Sequence, residues 1–142
     1  MKRAEDRWLY IAVLLAAVLA AGHHVDHVIR GNHVGWPVTD EVNAFTYSLG
    51  IYPLILIGLF LYRTGRVGPG FWIFLSGGGA VFLAAIHFGP WAIEPPADII
   101  DLYEPRILGY LAFGWLLLLI GVLVATAVYE TVLWRRRRRA GA

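Results

Sequence analysis

The sequence predicts an all-α integral membrane protein, a four-transmembrane-helix bundle that forms a single domain. Three observations support this fold class: the composition, four long apolar stretches, and the placement of the basic residues. Of the 142 residues, 58% are hydrophobic and only 15% are charged. A soluble domain of this length has too small an interior to bury so much apolar surface, whereas lipid can contact it directly.

The four apolar stretches place transmembrane helices at about residues 8–30, 43–62, 70–88 and 107–134. A helix needs about 20 mostly apolar residues to cross the hydrocarbon core. The last three stretches reach this length, and the first does so when the turns that carry its histidines are included. The first stretch also allows a cleaved signal peptide, although Glu5 and Asp6 are unusual for one. In the second stretch, Pro53 predicts a kink, because it cannot donate the helical hydrogen bond to Leu49.

The basic residues predict the orientation of the bundle. With the amino terminus in the cytoplasm, every lysine and arginine except Arg30 and Arg106 lies on the cytoplasmic side, as the positive-inside rule requires. Both termini are then cytoplasmic, and we expect a multi-pass protein of the inner or plasma membrane. The basic tail, residues 135–142, is expected to contact anionic lipid headgroups of the bilayer rather than nucleic acid.

The loops predicted on the outer side are longer than the cytoplasmic turn at 63–69. They comprise about residues 31–42 and 89–106, and the second contains a segment at 97–103 that is predicted to form a short surface helix. Functional residues are disproportionately found on such loops.

The lack of sulfur ligands restricts the kinds of metal site that the chain can form. The chain has no cysteine, and its single methionine is Met1. Disulfides, zinc–thiolate sites, iron–sulfur clusters and thioether copper sites are therefore excluded. A bound metal ion would have to be held by imidazole, carboxylate or backbone oxygen.

All five histidines lie on the predicted outer side, at the ends of the first and third transmembrane helices or in the loop after the first. They are His23, His24, His27, His33 and His87. His23 and His27 are one helical turn apart, a spacing that lets two imidazoles reach one metal ion. At a rise of about 1.5 Å per residue, His23 lies about 24 Å beyond Arg7 and His87 about 25 Å beyond Gly70. The two helices therefore carry histidines at the same depth.

Small residues predict how those two helices meet. One stripe on the first helix consists of Ala12, Ala16, Ala17, Ala20 and Ala21, and one on the third consists of Ser76, Ala80 and Ala84. Membrane helices approach closely along small residues. The stripes predict that the first and third helices pack together and bring His23 or His27 close to His87.

Further candidate ligands surround this predicted site. His24 and His27 offer a second histidine pair, and Asp26 can bind the ion or orient a histidine. His33 can fold back through the glycine-containing turn, while His24 and His33 can also simply hydrogen-bond to backbone or headgroups. Candidate supporting residues are Glu94, Asp98, Asp101 and Arg30.

These residues favour a small membrane metalloprotein with a histidine and carboxylate site at the outer face, engaged in redox chemistry or metal handling. The suspected cofactor is a divalent transition metal, namely Zn, Fe, Mn or Cu. A second hypothesis is a b-type haem protein with His87 and either His23 or His27 as axial ligands. Two more hypotheses are a homo-oligomer that translocates protons or cations and an accessory subunit of a larger membrane complex. Whether the chain is an enzyme stays open.

Overall fold

The structure is a computed structural model that describes residues 2–31, 39 and 42–140. The described residues form six helices: α1 Lys2–Ile29, α2 Ala44–Ser48, α3 Ile51–Arg63, α4 Pro69–Phe88, α5 Pro96–Ile100 and α6 Arg106–Ala140. Four segments are long and apolar enough to cross a membrane: Arg7–Ile29, Ala44–Arg63, Pro69–Phe88 and Arg106–Arg139. The prediction of an all-α chain with four helices long and apolar enough to span a membrane is confirmed. The orientation stays a prediction from the basic residues.

Two helices extend further than the apolar stretches indicated. α1 begins at Lys2, and α6 continues through the arginine run to Ala140. Basic side chains in the last turn stabilise a helix through its dipole, which explains why the arginines continue α6. In addition, the Arg138 guanidinium lies 4.2 Å from the centre of the Trp134 ring.

The second span is broken into α2 and α3 at Leu49 and Gly50. The break lies where Pro53 cannot donate a hydrogen bond to the Leu49 carbonyl, which accepts instead from the Tyr52 amide at 3.3 Å. The start of α2 is defined by a capping box between Asn43 and Thr46, whose side chains bond each other's backbone amides. The expected distortion of this span is therefore a break one turn ahead of the proline.

The longest helix, α6, makes most of the contacts between helices in the bundle, which differs from one prediction made from the sequence. Among the described residues, the extensive helix contacts join α6 to α4, to α1 and to α5. The close approach expected between the small-residue stripes of α1 and α4 is not found in the part of the chain that the structure describes, because α6 makes the extensive contacts with both. The side chains of α1 and α4 still meet, at Val13 with Trp72 and at His23 with His87. Trp115 of α6 lies against Gly22 of α1, with no room for a Cβ there, and its indole donates to the Leu19 carbonyl at 2.7 Å.

One end of the bundle is closed by an apolar cluster. Leu9, Val13 and Trp72 are buried together, with partly buried residues of α3 and α4 around them. Gly58 of α3 permits this contact, because a Cβ there would collide with the Phe71 ring. We call the other end, where α1 and α4 finish, the histidine end.

The segment after α4 folds back over the histidine end. The Glu94 amide donates to the Ile86 carbonyl at 3.2 Å, so the chain returns towards the last turn of α4. The surface helix predicted at 97–103 is present but shorter, as α5 Pro96–Ile100, which packs on α6. Ile99 is fully buried there, whereas Leu102 stays exposed. Gly109 is required at this contact, because the Ile100 backbone leaves no space for a side chain.

Candidate metal centre

Three histidines converge at the histidine end. His23 and His27 lie on one face of α1, and His87 lies in the last turn of α4. Their exposed fractions are 5%, 6% and 1%. One ring nitrogen from each histidine lies within 4.8 Å of the others, so the group can hold a metal ion. The depth match in the sequence predicted this meeting, although the backbones of α1 and α4 do not pack tightly.

The two histidines of α1 already have the separation of ligands on one ion. Their Nε2 atoms are 3.2 Å apart. Two nitrogens bound tetrahedrally at about 2.0–2.1 Å from a zinc ion would lie about 3.3 Å apart. The third ring approaches from the side, with the ring centres of His23 and His87 separated by 5.3 Å. A small closure between α1 and α4 would complete a three-nitrogen site.

The hydrogen bond of His87 determines which of its nitrogens is free. Its Nδ1 atom lies 2.8 Å from the backbone carbonyl of Glu94. Because a carbonyl only accepts, Nδ1 carries the proton and donates it, which leaves the Nε2 lone pair of the neutral ring available. Metal-ligating histidines almost always donate their second ring N–H in this way. The fold of residues 89–94, which sets the position of that carbonyl, therefore orients His87.

The Glu94 carboxylate lies beside the three imidazoles, and its side chain is only 1% exposed. Its Oε2 is 3.4 Å from His27 Nε2 and 3.5 Å from His87 Nδ1. Burial raises the pKa of Glu94, and the neighbouring Arg30 guanidinium opposes part of that rise. Oε2 receives no hydrogen bond from the described residues, so it remains available as a ligand or a proton acceptor.

Arg30 joins two buried carboxylates. Its Nη2 lies 2.7 Å from Asp26 Oδ2, and its Nη1 lies 2.5 Å from Glu94 Oε1. Burial works to lower the pKa of Arg30, but the hydrogen bonds to these two carboxylates raise it, so the guanidinium stays charged. Arg30 thereby holds Glu94 against the histidines.

Asp26 forms its hydrogen bonds with Arg30 and Tyr103 rather than with the histidines. Oδ2 accepts from Arg30 Nε at 2.9 Å, and Oδ1 accepts from the Tyr103 hydroxyl at 2.6 Å. Burial and the bond to Asp26 raise the pKa of Tyr103 to about 12, so its hydroxyl is a permanent donor. The contacts of Asp26 support neither of the two expected roles, binding an ion or orienting a histidine; Asp26 instead holds Arg30 and Tyr103.

His24 points away from the other three histidines. Its Nδ1 lies 2.7 Å from the Tyr52 hydroxyl, and its Nε2 lies 2.8 Å from Ser48 Oγ. Ser48 Oγ donates to the Phe45 carbonyl at 2.6 Å, so it must accept from His24 Nε2. Both nitrogens of His24 are occupied, and the ring ties α1 to the broken second span instead of facing an ion.

The remaining predicted residues are more distant from the centre. Asp98 and Asp101 are exposed, and Asp101 pairs with Arg106 at 2.9 Å. Asp98 contributes only its backbone carbonyl, at 3.4 Å from Arg30 Nη1. Neither belongs to the group of potential metal ligands among the described residues. His33 lies outside the described residues.

Sequence reasoning missed Tyr103, which completes the network around Asp26. Nothing in its sequence surroundings marks it, because the fold of the segment after α4 alone brings it to Asp26, 77 positions earlier. No protein-family model, no curated protein and no solved structure matches this chain. The interpretation of the site therefore rests on its geometry and chemistry.

Proposed function

We propose that this chain is a small membrane metalloprotein in which His23, His27 and His87 bind one divalent transition-metal ion at the outer face of the membrane. The observation that carries the proposal is the approach of three buried ring nitrogens to within 4.8 Å of one another. Three imidazoles without sulfur suit Zn, Fe, Mn or Cu(II).

The cost of leaving these rings without an ion supports the proposal. Each neutral imidazole has only one N–H donor and one acceptor nitrogen. Three buried imidazoles that face one another can therefore form few hydrogen bonds among themselves, and some ring nitrogens are left without a partner. A buried polar atom without a partner costs about 1–3 kcal/mol. An ion would use the inward-facing lone pairs together, whereas a purely structural role would be served better by apolar side chains.

The groups around the histidines suit a reactive rather than a closed site. Three protein ligands leave a coordination position open, as in catalytic zinc sites. When bound, the ion would supply positive charge and Lewis acidity there. Glu94 Oε2 is placed to accept a proton or to act as a fourth ligand, and Arg30 keeps that carboxylate in position.

The arrangement favours a bare ion over haem. Two axial histidines of a b-type haem bind on opposite faces of a porphyrin, which separates their rings. Here the His23 and His27 Nε2 atoms are 3.2 Å apart, and the His23 and His87 ring centres are 5.3 Å apart. At these separations no gap for a macrocycle remains between the rings.

The test is elemental analysis with an optical spectrum on protein purified in mild detergent without a histidine tag. We expect close to one transition-metal ion per chain, lost in His23→Ala and in His87→Ala. His24→Ala is the matched control, since His24 neighbours the site but faces Tyr52 and Ser48. This variant should keep its metal.

Two results would contradict the proposal. A Soret band would show haem in place of a bare ion. Protein from metal-replete cells that contains no metal and takes up none on titration would leave the accessory or transport roles as the better hypotheses.

A further inference from the structure

A large cavity adjoins the three histidines. It has a volume of about 530 Å³ and lies between α1, the broken second span, α4 and α6. This volume is within the range of about 300–1,000 Å³ that is typical of pockets for a single small ligand. His23, His27 and His87 line it at one end, so a ligand in the cavity would reach the candidate metal centre.

The cavity is as long as one lipid chain. Along α4 its wall extends from Trp72 to His87, about 22 Å at the rise of an α-helix. One leaflet of the hydrocarbon core is about 15 Å thick. At the end away from the histidines, the cluster of Leu9, Val13 and Trp72 closes the bundle.

Beyond the histidine end the wall of the cavity is mostly apolar, and no charged side chain among the described residues lines it there; its polar groups include the hydroxyls of Ser76 and Thr126. Aliphatic and aromatic side chains from four helices form it, among them Val13, Ile55 and Leu119. The hydroxyl of Thr126, which also lines it, donates to the Val122 carbonyl of its own helix at 2.7 Å. A ligand that fills this space therefore has a hydrocarbon body and a polar group only at the end next to the histidines.

The cavity is bordered by side chains that are open to the bundle exterior. Leu54 of α3 and Phe74 and Phe82 of α4 all line it, and their exposed fractions are 49%, 78% and 37%. Apolar residues exposed at this depth would face lipid. The second span also lacks the extensive contacts with α6 that α1 and α4 make. Entry between α3 and α4 would therefore be directly from the bilayer.

The charges at the histidine end select the head group. Arg30 balances one of the two buried carboxylates, Asp26 and Glu94. A divalent ion on the three histidines would more than balance the charge of the second carboxylate. The histidine end of the cavity would then be positively charged overall and would attract a negatively charged head group. We propose that the cavity binds a single-chain lipid with a carboxylate head, a long-chain fatty acid, with its head at the metal centre. The choice of head group rests on the proposed metal ion.

The test measures binding of radiolabelled palmitate to the metal-loaded protein in detergent. Gly78→Phe adds a benzyl group at the cavity wall: Gly78 lines the cavity, and a Cβ there meets no atom within 4 Å. Gly121→Phe is the matched control, since Gly121 is exposed on α6, has equally free space, and does not line the cavity. We expect Gly78→Phe to weaken palmitate binding about tenfold or more and Gly121→Phe to leave it unchanged. Metal content should be the same in both.

The outcomes separate the two proposals. Equal palmitate affinity in wild type and Gly78→Phe, or no binding to metal-loaded wild type, would overturn the lipid site while leaving the metal site intact. Competition by methyl palmitate as strong as by palmitate would refute the carboxylate head. Undiminished palmitate binding in metal-free His87→Ala would also refute contact between head and ion. Failure of the chain to bind metal at all is a separate result, which overturns the proposed function.

Discussion

Arg30→Met should be among the most destabilising single changes at the histidine end. The side chain of Arg30 is 4% exposed, and it pairs with Glu94 and Asp26, whose side chains are 1% and 10% exposed. Methionine retains much of the apolar volume but leaves two nearly buried carboxylates without the cation that pairs with both. Removal of one partner from a buried ion pair costs about 3–5 kcal/mol. Because Tyr103 still donates to Asp26, we expect the free energy of unfolding to fall by about 3 kcal/mol, the lower end of that range.

The pH dependence of this loss has a definite sign. Burial raises the pKa of Glu94, and Arg30 opposes that rise, so the variant should raise it further. A carboxyl with a raised pKa in the folded state destabilises the protein as pH increases through that pKa, since the folded state must give up a proton that it holds more tightly. The deficit of Arg30→Met should therefore be smaller at about pH 5 than at about pH 8.

The assay is denaturant unfolding in detergent micelles, followed by tryptophan fluorescence and circular dichroism. Arg106→Met is the control, because Arg106 forms an ion pair with Asp101 in which the side chains are 66% and 54% exposed. That exposed pair should contribute less than about 1 kcal/mol. Adding Glu94→Gln to Arg30→Met should recover part of the loss. If Arg30→Met costs no more than Arg106→Met, the reasoning about the buried network is wrong.

Three further predictions concern the metal centre and the helix contacts. Glu94→Gln should weaken metal affinity by about 10–100-fold, as for other residues that support a ligand, and an unchanged dissociation constant in a competition titration would argue against its role. Dialysis against a strong chelator at about pH 8 should remove the metal, and readdition of zinc should restore it in the wild type but not in His27→Ala; equal reloading of His27→Ala would contradict ligation by that histidine. Gly22→Ala should lower the free energy of unfolding by about 1–3 kcal/mol, because its Cβ would overlap the Trp115 ring. Gly114→Ala, where no atom lies within 4 Å of the Cβ, should show no such loss in the same unfolding assay.

The positions of residues along the axes of the four long apolar helices could be read from the sequence. Hydropathy locates a span because the hydrocarbon core tolerates few charges, and the constant helical rise converts residue number into depth. That relation placed His23 and His87 at one level, and the structure brings them together with His27. Sequence also located the disturbance of the second span near Pro53, since the loss of a backbone donor is a local effect.

Lateral arrangement could not be read in the same way. The alanine stripes indicated a small face on α1 and on α4, but small faces do not specify their partner, and α6 is the helix that packs closely against both. The sequence spacing also allowed His24 as a ligand with His27. Only the position of α2 and α3, with Ser48 and Tyr52, turned that ring away from the centre.

The network behind the three clustered histidines was decided entirely by tertiary structure. Arg30, Glu94 and Tyr103 come from separate segments, and their meeting depends on how the residues between α4 and α6 fold back over the bundle. The sequence by itself determined the four spans, the absence of sulfur ligands and the common depth of the histidines, because composition and helical rise are properties of each segment alone. Ligand orientation, the buried ion pairs and the cavity depend on contacts between distant segments, so only the packed structure could determine them.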